Sequence, residues 1–311
     1  MLNARVLSAQ SASSSALAGD TLTNFRFFPT AAPLSQFVEH LYTAEIPGHF
    51  LVHAEAARLP EVTAHLVFAI EEGNALPGGI WLGGGLRACL FLHPAHLQVI
   101  PVPVGIRQAV GASLRPAGLR LLLPRGADGL GGAPLFALDE LCGAEGRELR
   151  DRLILEGTAD LRLALLERFL RTRALQLERS NRSVLRACEL IQLAHGEIST
   201  EQLALACGCT SRTLRSATIA ETGLPPKQLA RIVRIRYALD LLASAGVPLS
   251  AAAASSAFSD QSHMSREFRE LIGEPPSLLG QKLRSADLPT FNAERNLLST
   301  GLLVVPKPAA P

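Results

Sequence analysis

Short apolar or alternating runs, separated by glycine and proline, dominate the chain between residues 25 and 125. Such runs predict strands, because alternation places every second side chain on the same face of a sheet. Glycine and proline between them mark tight turns. The pattern is typical of an antiparallel sheet or a small barrel. The runs lie at 50–52, 65–70, 79–82, 88–92 and 97–102.

A three- and four-residue spacing of apolar positions predicts helices elsewhere. Segment 33–42 carries four apolar residues at this spacing, so a helix is predicted inside the β region. The same spacing returns at Leu138 and predicts helices that close this domain. Segment 183–283 is helical in pattern throughout. The fold class is therefore α+β: an N-terminal, mainly antiparallel β domain closed by helices, followed by an all-α domain.

Two helices joined by a short turn are predicted between residues 198 and 221. Ser199 is a suitable N-cap for the first helix, and Gly208 ends it where a positive φ is wanted. Thr210 or Ser211 caps the second helix. A helix, a turn of three to four residues and a second helix together form a helix-turn-helix.

The second helix of this unit has one apolar face and one polar face. Leu214 and Thr218 face inward, while Arg212, Arg215 and Ser216 share the opposite side at i, i+3 and i+4. Two guanidinium groups on that side can fork onto guanine O6 and N7 or reach phosphates. The alternative is that an exposed helix carries two arginines for solubility.

A second unit repeats the pattern between residues 249 and 276. Asp260 caps its second helix, which buries Met264, Phe268 and Leu271. The segment 226–243 between the units predicts a helix about 27 Å long at 1.5 Å per residue. Successive major-groove segments on one face of DNA are about 34 Å apart, so such a helix could set two reading helices roughly one turn apart. The outward residues of the second reading helix are Gln261, Ser262, Ser265, Arg266 and Arg269.

Residues 183–283 resemble the double helix-turn-helix domain of AraC-type transcriptional regulators. The strongest match is 258–276, FSDQSHMSREFRELIGEPP, which follows the family's order of Phe, cap, Gln/Ser, hydrophobe, Arg-x-Phe, Gly and Pro. The first unit matches through Leu203-Ala204, Gly208, Arg212, Leu214, Gly223, Pro225-Pro226, Arg234, Ala238 and Leu241-Leu242.

The N-terminal part resembles sensor domains that precede this DNA-binding domain in some members of the family. The matching residues are Arg58-Leu-Pro60, His65-Leu-Val-Phe68, Val110-Gly111, Leu114-Arg-Pro-Ala-Gly118, Pro134 and Leu138-Asp-Glu-Leu141. Together with the composition of the two ends and of the polar linker, this predicts a disordered segment at 1–24, a sensor domain at 25–172, a linker at 173–182, a DNA-binding domain at 183–284 and a flexible tail at 285–311.

The resemblance implies a sequence-specific regulator of transcription, located in the cytoplasm, that is not an enzyme and needs no cofactor. Its principal partner is double-stranded promoter or operator DNA. A small-molecule effector, RNA polymerase and a second copy of the chain are further candidate partners. The residues implied to contact DNA are Ser211, Arg212, Arg215, Ser216, Gln261, Ser262, Ser265, Arg266 and Arg269.

Several positions depart from the family's pattern. The family usually has Arg where this chain has Ser216 and Phe where it has Thr218. Ala257 stands at the usual turn glycine of the second unit, whose scaffold helix, 251–256, is rich in Ala and Ser. We therefore expect the first unit to anchor the protein and the second to supply more of the base specificity.

The chain is nearly neutral overall, but one segment of it is strongly basic. The chain has 30 basic and 28 acidic residues, which excludes a protein that holds DNA by bulk charge. Six basic residues and one acid nevertheless fall within 211–236. Among these, Arg231 and Arg234 are interpreted either as phosphate contacts or as buttresses of the linker helix. Arg266 is open to a similar alternative, pairing with Asp260 or Glu270.

Other candidate chemistry is weaker. Five scattered cysteines fit a reducing compartment, with buried structural thiols the default and a redox sensor at Cys207 and Cys209 the alternative. No apolar run is long enough to span a membrane. His93 and His96 have metal-like spacing, but Pro94 disfavours the helix that would align them. A DNA-targeted enzyme and an effector-independent architectural protein stay open as competing classes.

Overall fold

The computed structural model describes residues 24–45, 54–58, 62–71, 75–82, 98–101, 106–123, 138–177, 182–244, 246–285 and 302–306. The predicted strands at 50–52 and 88–92 lie outside these residues, as does nearly all of the predicted disordered segment at 1–24. The strands are β1 (Asn24–Pro29), β2 (Val38–Glu45), β3 (Ala54–Arg58), β4 (Ala64–Glu71), β5 (Ala75–Leu82), β6 (Gln98–Pro101), β7 (Ile106–Leu114) and β8 (Leu302–Pro306).

Two antiparallel sheets form the β part, as the apolar runs predict. The larger has the order β1-β2-β7-β4-β5, and the smaller has the order β6-β3-β8. Strand β7 is the centre of the larger sheet and pairs with both β2 and β4. Gly111 on β7 leaves room for the Tyr42 ring, since a Cβ there would lie 2.3 Å from Tyr42 Cζ. Close packing of neighbouring strands therefore requires glycine at this position.

The helix predicted at 33–42 is wrong. A 3-10 helix covers only Leu34–Gln36, and β2 begins at Val38. The apolar residues behind the prediction, among them Leu34 and Phe37, are buried, so the pattern located the core but not the backbone conformation. The backbone groups of β2 are satisfied by pairing with β1 and β7. The register shifts between Val38 and His40, and this irregularity gives the buried residues of the segment a spacing that resembles that of a helix.

Two helices close the sheet, as predicted. They are α1 (Leu138–Leu155) and α2 (Ala159–Leu177), and their buried leucines share one core with the larger sheet and a 3-10 helix at Pro116–Leu121. Helix α2 continues to Leu177 with Ala174 fully buried, so helix occupies the first part of the predicted linker at 173–182. The domain limits themselves stay a prediction.

The prediction of a flexible tail at 285–311 is wrong for one segment. Residues 302–306 form β8, which pairs antiparallel with β3. The run Leu-Leu-Val-Val at 302–305 explains the difference, because apolar and β-branched residues favour a strand wherever an edge is available for pairing.

The all-α domain comprises seven helices among the described residues from 182 to 285. They are α3 (Arg182–Leu193), α4 (Thr200–Ala206), α5 (Ser211–Thr222), α6 (Pro226–Ala243), α7 (Leu249–Ser255), α8 (Gln261–Leu271) and α9 (Pro276–Ser285). No helix in the described part of the chain is long and apolar enough to cross a membrane.

Helix α6 belongs to two cores at once. Its N-terminal half, with Leu229, Ala230 and Ile232, packs with α3, α4 and α5. Its C-terminal half, with Ile235 and Leu239, packs with α7, α8 and α9. The two helix-turn-helix units are therefore joined by one continuous helix rather than by a loop.

Candidate nucleic-acid interface

Local hydrogen bonds build the first unit as the sequence predicts. The Ser199 hydroxyl accepts from Gln202 N at 3.2 Å, and the Gln202 side chain accepts from Ser199 N at 2.8 Å, which completes a capping box. Thr210, one of the two predicted caps, is the N-cap of α5 and accepts from Thr213 N at 3.1 Å. Gly208 adopts φ +66°, the left-handed conformation expected there.

Helix α5 presents its two predicted faces. Leu214 and Thr218 are fully buried, and the Thr218 hydroxyl donates to Leu214 O at 2.7 Å, so the polar atom in this core has a partner. Arg212, Arg215 and Ser216 are exposed on the other side, and Ser211 is half-buried. Neither arginine forms an ion pair with any residue that the structure describes.

The second unit has the same construction with a different turn residue. Asp260 caps α8 and accepts from His263 N at 2.7 Å, and this backbone hydrogen bond lowers the pKa of Asp260. Ala257 adopts φ +54° at the turn position where Gly208 serves the first unit. An alanine there carries a strain that a glycine would not.

Helix α8 buries its apolar face and exposes its polar one. Met264 and Phe268 are fully buried. Arg266 makes no ion pair within the described part of the chain, and Glu270, one of its two proposed partners, pairs with Arg231 instead. Arg266 lowers the pKa of Asp260 only as a minor contributor. The predicted outward residues Gln261, Ser262, Arg266 and Arg269 are exposed, and Ser265 is half-buried.

The basic cluster at 211–236 divides into two groups. Arg212, Arg215 and Lys227 are exposed and have no ion pair among the described residues. The other three arginines are engaged within the domain. Arg231 pairs with Glu267 and Glu270, Arg234 donates to Gly196 O at 2.8 Å, and Arg236 lies 3.5 Å from Asp240.

Arg231 connects the linker helix to the second reading helix. Its Nε contacts Glu267, its Nη2 lies 2.5 Å from Glu270 Oε2, and both acids belong to α8. The guanidinium is partly buried and lowers the pKa of Glu270. These contacts favour the buttress interpretation of Arg231. Sequence reasoning missed the pairing, because its partners lie more than 35 positions away.

The described cysteines are free, and burial makes three of them poorly suited to redox sensing. Burial raises the pKa of Cys188 to about 12 and of Cys142 to about 11, and it also raises the pKa of Cys207. A protonated thiol is a weak nucleophile, so these residues act as small apolar groups. No group of three or more metal-ligating side chains occurs among the described residues, which do not include His93 and His96.

The two domains contact each other through the first unit. Val62, which precedes β4, belongs to the core formed by α3, α5 and α6, while Leu185 of α3 packs against the core of the β domain. Arg115 donates to Gln192 of α3 at 3.1 Å. The first reading helix thus shares a core with the helix that docks onto the N-terminal domain.

This geometry defines a DNA-binding protein of the helix-turn-helix class. A family model described as a helix-turn-helix domain matches residues 203–282. A probable AraC family transcriptional regulator from Rhodopseudomonas palustris is 31% identical over 33% of this chain and 99% of that one, with a TM-score of 0.31. The chain belongs to the AraC family and is a DNA-binding transcription regulator. Its family membership rests on the C-terminal third.

Longer but weaker likenesses extend over both domains. ToxT from Vibrio cholerae is 15% identical over 85% of this chain and 98% of that one, with a TM-score of 0.34. A ToxT structure with a bound unsaturated fatty acid is 12% identical over 84% and 94%, with a TM-score of 0.33. No curated protein matches the chain.

Reciprocal substitutions in the two turns should have opposite effects. Gly208→Ala should lower the thermal unfolding midpoint, by an amount equivalent to about 1 kcal/mol, because a Cβ disfavours positive φ. Ala257→Gly should raise the midpoint by a smaller amount, since relief of the strain is partly offset by glycine's entropy in the unfolded chain. Gly157→Ala is the control, because its Cβ also meets open space but its φ is not positive. Shifts of the same sign in both turns would contradict this account.

Removing the Arg231 contact from either side should have the same effect. Arg231→Met and the double variant Glu267→Gln/Glu270→Gln should each weaken DNA binding about fivefold, the equivalent of ~1 kcal/mol, and relax base preference under α8. If Arg231 instead contacted a phosphate, Arg231→Met would weaken binding while the double variant strengthened it. Lys227→Met removes the same charge from α6 and should leave the base preference unchanged. Titrations on a panel of single-base operator variants measure all three.

Proposed function

We propose that the chain binds double-stranded DNA by placing α5 and α8 in two adjacent segments of the major groove. Arginine and lysine contacts to phosphates supply most of the affinity, and outward side chains of the two helices supply the sequence preference. The proposed contact residues are Ser211, Arg212, Arg215 and Ser216 on α5, with Gln261, Ser262, Ser265, Arg266 and Arg269 on α8.

The observation that carries the proposal is that α5 and α8 both expose arginines without ion-pair partners among the described residues. Arg212, Arg215, Arg266 and Arg269 are all exposed, and none is neutralised by an ion pair to a described residue. By contrast, the arginines of α6 between the two helices are held within the domain. Guanidinium groups left free on both reading helices support contact with bases or phosphates at two places.

Helix α6 supports the spacing of the two contacts. Its 18 residues correspond to about 27 Å, and it packs into the cores of both units. One rigid helix can therefore hold α5 and α8 in a fixed relation, close to the roughly 34 Å that separates successive major-groove segments. DNA with two half-sites one turn apart is the expected target.

The N-terminal domain is proposed to modulate this binding through a small-molecule effector or a second copy of the chain. Support comes from the contacts between the two cores: Val62 of the N-terminal domain lies in the core of α3, α5 and α6, and Leu185 of α3 packs against the core of the β domain. A change in either domain therefore alters the packing of the other. RNA polymerase is a further proposed partner. The free described cysteines and the DNA target support a cytoplasmic location.

Catalysis is not part of the proposed function. A fused enzyme of the DNA-repair type would need a reactive thiol or a cysteine cluster for zinc, and burial raises the pKa of both Cys142 and Cys188. Cys89 lies outside the described residues. An architectural protein would bind DNA with little preference, so the first experiment below separates it from a regulator.

Selection of bound DNA from a random pool, with the full chain, tests the proposal. At about 0.15 M salt, where nonspecific binding is weak, we expect enrichment of a motif with two half-sites about 10 base pairs apart. The double variant Arg212→Ala/Arg266→Ala should lose this enrichment. Arg147→Ala, at an exposed arginine of α1, should retain it. Failure of the unmodified chain to enrich any motif would overturn the proposed function.

The two reading helices should differ in their contribution to specificity. Arg266→Ala should relax base preference by roughly 1–3 kcal/mol at one position, as expected for loss of a bidentate contact. Arg212→Ala should lower affinity more evenly across sequences and reduce the salt dependence by about one phosphate contact. The reason is that α5 carries Ser216 where the family usually has Arg. A larger loss of preference for Arg212→Ala than for Arg266→Ala would contradict this division.

A further inference from the structure

The C-terminal segment of the chain returns to the N-terminal domain as strand β8. Helix α9 ends at Ser285, and β8 covers Leu302–Pro306. Strand β8 lies beside β3, the middle strand of the smaller sheet, whose other neighbour is β6. The pairing is antiparallel and extends over the full length of both strands, with Val304 opposite Ala56 at its centre. This contact uses none of the residues proposed to bind DNA.

The sequence of β3 is a poor strand former. It reads Ala-Glu-Ala-Ala-Arg, and alanine and glutamate are depleted in strands. Its neighbours read Leu-Leu-Val-Val-Pro in β8 and Gln-Val-Ile-Pro in β6, so aliphatic and β-branched residues lie on both sides of it. Without β8, β3 would keep one partner among the described strands, and a two-stranded ribbon is marginally stable in water. The strand conformation of β3 therefore depends on β8.

Strand β3 leads directly into the contact between the two domains. Arg58 is its last residue, and Val62, four residues further along the chain, is buried in the core of α3, α5 and α6. Thr63 is buried as well, and β4 begins at Ala64. Val62 is thus held in place from both sides, by β3 before it and by β4 after it. Loss of β3 would release one of these two supports.

Strand β8 also connects the second helix-turn-helix unit to the N-terminal domain. Helix α9, which precedes the tail, contributes Leu279 to the core of the second unit. A connection as long as 286–301 can span at most about 55 Å. A tether of this kind keeps its end at an effective concentration on the order of 1 mM, so a segment with modest affinity for β3 is largely bound within its own chain. The N-terminal domain is therefore linked to the first unit by Val62 and to the second by β8.

We propose that the edge of β3 is a strand-addition site whose ligand is the chain's own segment 302–306. The site takes an extended apolar peptide, because main-chain hydrogen bonds supply the affinity in this mode of recognition. Bound there, the segment is a clasp: it keeps β3 in place, holds Val62 in the core of the first unit and so fixes the N-terminal domain against the DNA-binding domain. The clasp needs neither DNA nor an effector.

A labelled peptide with the sequence of residues 300–308 tests the site from outside the chain. In the full chain, Leu303→Pro/Val304→Pro removes two consecutive N–H groups, one of which must face β3 because the facing side alternates along an antiparallel strand. The peptide should bind this variant with a dissociation constant below about 1 mM, and the unmodified chain, whose site is filled, at least about tenfold more weakly. Ala309→Pro/Ala310→Pro, which adds the same prolines beyond β8, should behave like the unmodified chain. Fluorescence anisotropy of the peptide measures all three.

Hydrogen exchange of the same proteins tests the clasp. Leu303→Pro/Val304→Pro should speed exchange of the amides at 54–58 and of Val62 at least about tenfold, because both lose the support of β8. Addition of the peptide should restore their protection. Strand β7, at the centre of the larger sheet, should exchange as slowly as in the unmodified chain, which shows that the variant is folded.

Three results would show that the clasp does not exist. The peptide might fail to bind Leu303→Pro/Val304→Pro up to about 1 mM, or protection at 54–58 and Val62 might be the same in this variant as in the unmodified chain. Sedimentation between about 1 and 100 µM gives the third: if the unmodified chain forms a dimer that the variant does not, the strand comes from a second copy. Peptide binding and exchange are measured without DNA, so a chain that enriches no operator can still keep its clasp.

Discussion

Burial of one helix in two cores is the constraint on which the DNA-binding domain depends. Helix α6 contributes Ile232 to the first unit and Ile235 to the second, three residues further along. Neither unit can rotate about α6 without opening a packed core, and packed cores resist such changes because lost contacts are costly. The relation between α5 and α8 is thus set by apolar packing, before any contact with DNA.

Ion pairs add to the constraint that apolar packing places on α5 and α8. Arg231 links α8 to α6 and neutralises two acids of α8. The six basic residues within 211–236 look like a DNA-binding cluster in the sequence, yet three of them are engaged within the domain. A near-neutral chain can therefore bind DNA through few groups, provided that those few are left without internal partners.

The predictability of each element follows from how local its causes are. The caps Ser199 and Asp260 and the positive φ of Gly208 are determined by neighbours within three or four residues, and the sequence predicts them correctly. The helix predicted at 33–42 is wrong because pairing with β1 and β7, which lie elsewhere in the chain, decides the conformation of this segment. The pairing of β8 with β3 and the partners of Arg231 are equally nonlocal, and the spacing of residues in one sequence contains no signal for them.

The two units differ in their contacts with the N-terminal domain, and this difference determines how a structural change could pass between the domains. The first unit shares its core with Val62 of the N-terminal domain, whereas the residues that the structure describes in the buried cluster of the second unit all belong to α6 to α9 and their connections. Through these contacts, a change in the N-terminal domain reaches the core of α5 directly and that of α8 by way of α6. Since α6 is packed rigidly at both ends, such a change would move the two reading helices together or alter how α3 docks. It would not tune one helix alone. Under the proposed function, an effector should therefore change the affinity for both half-sites more than the preference at either one.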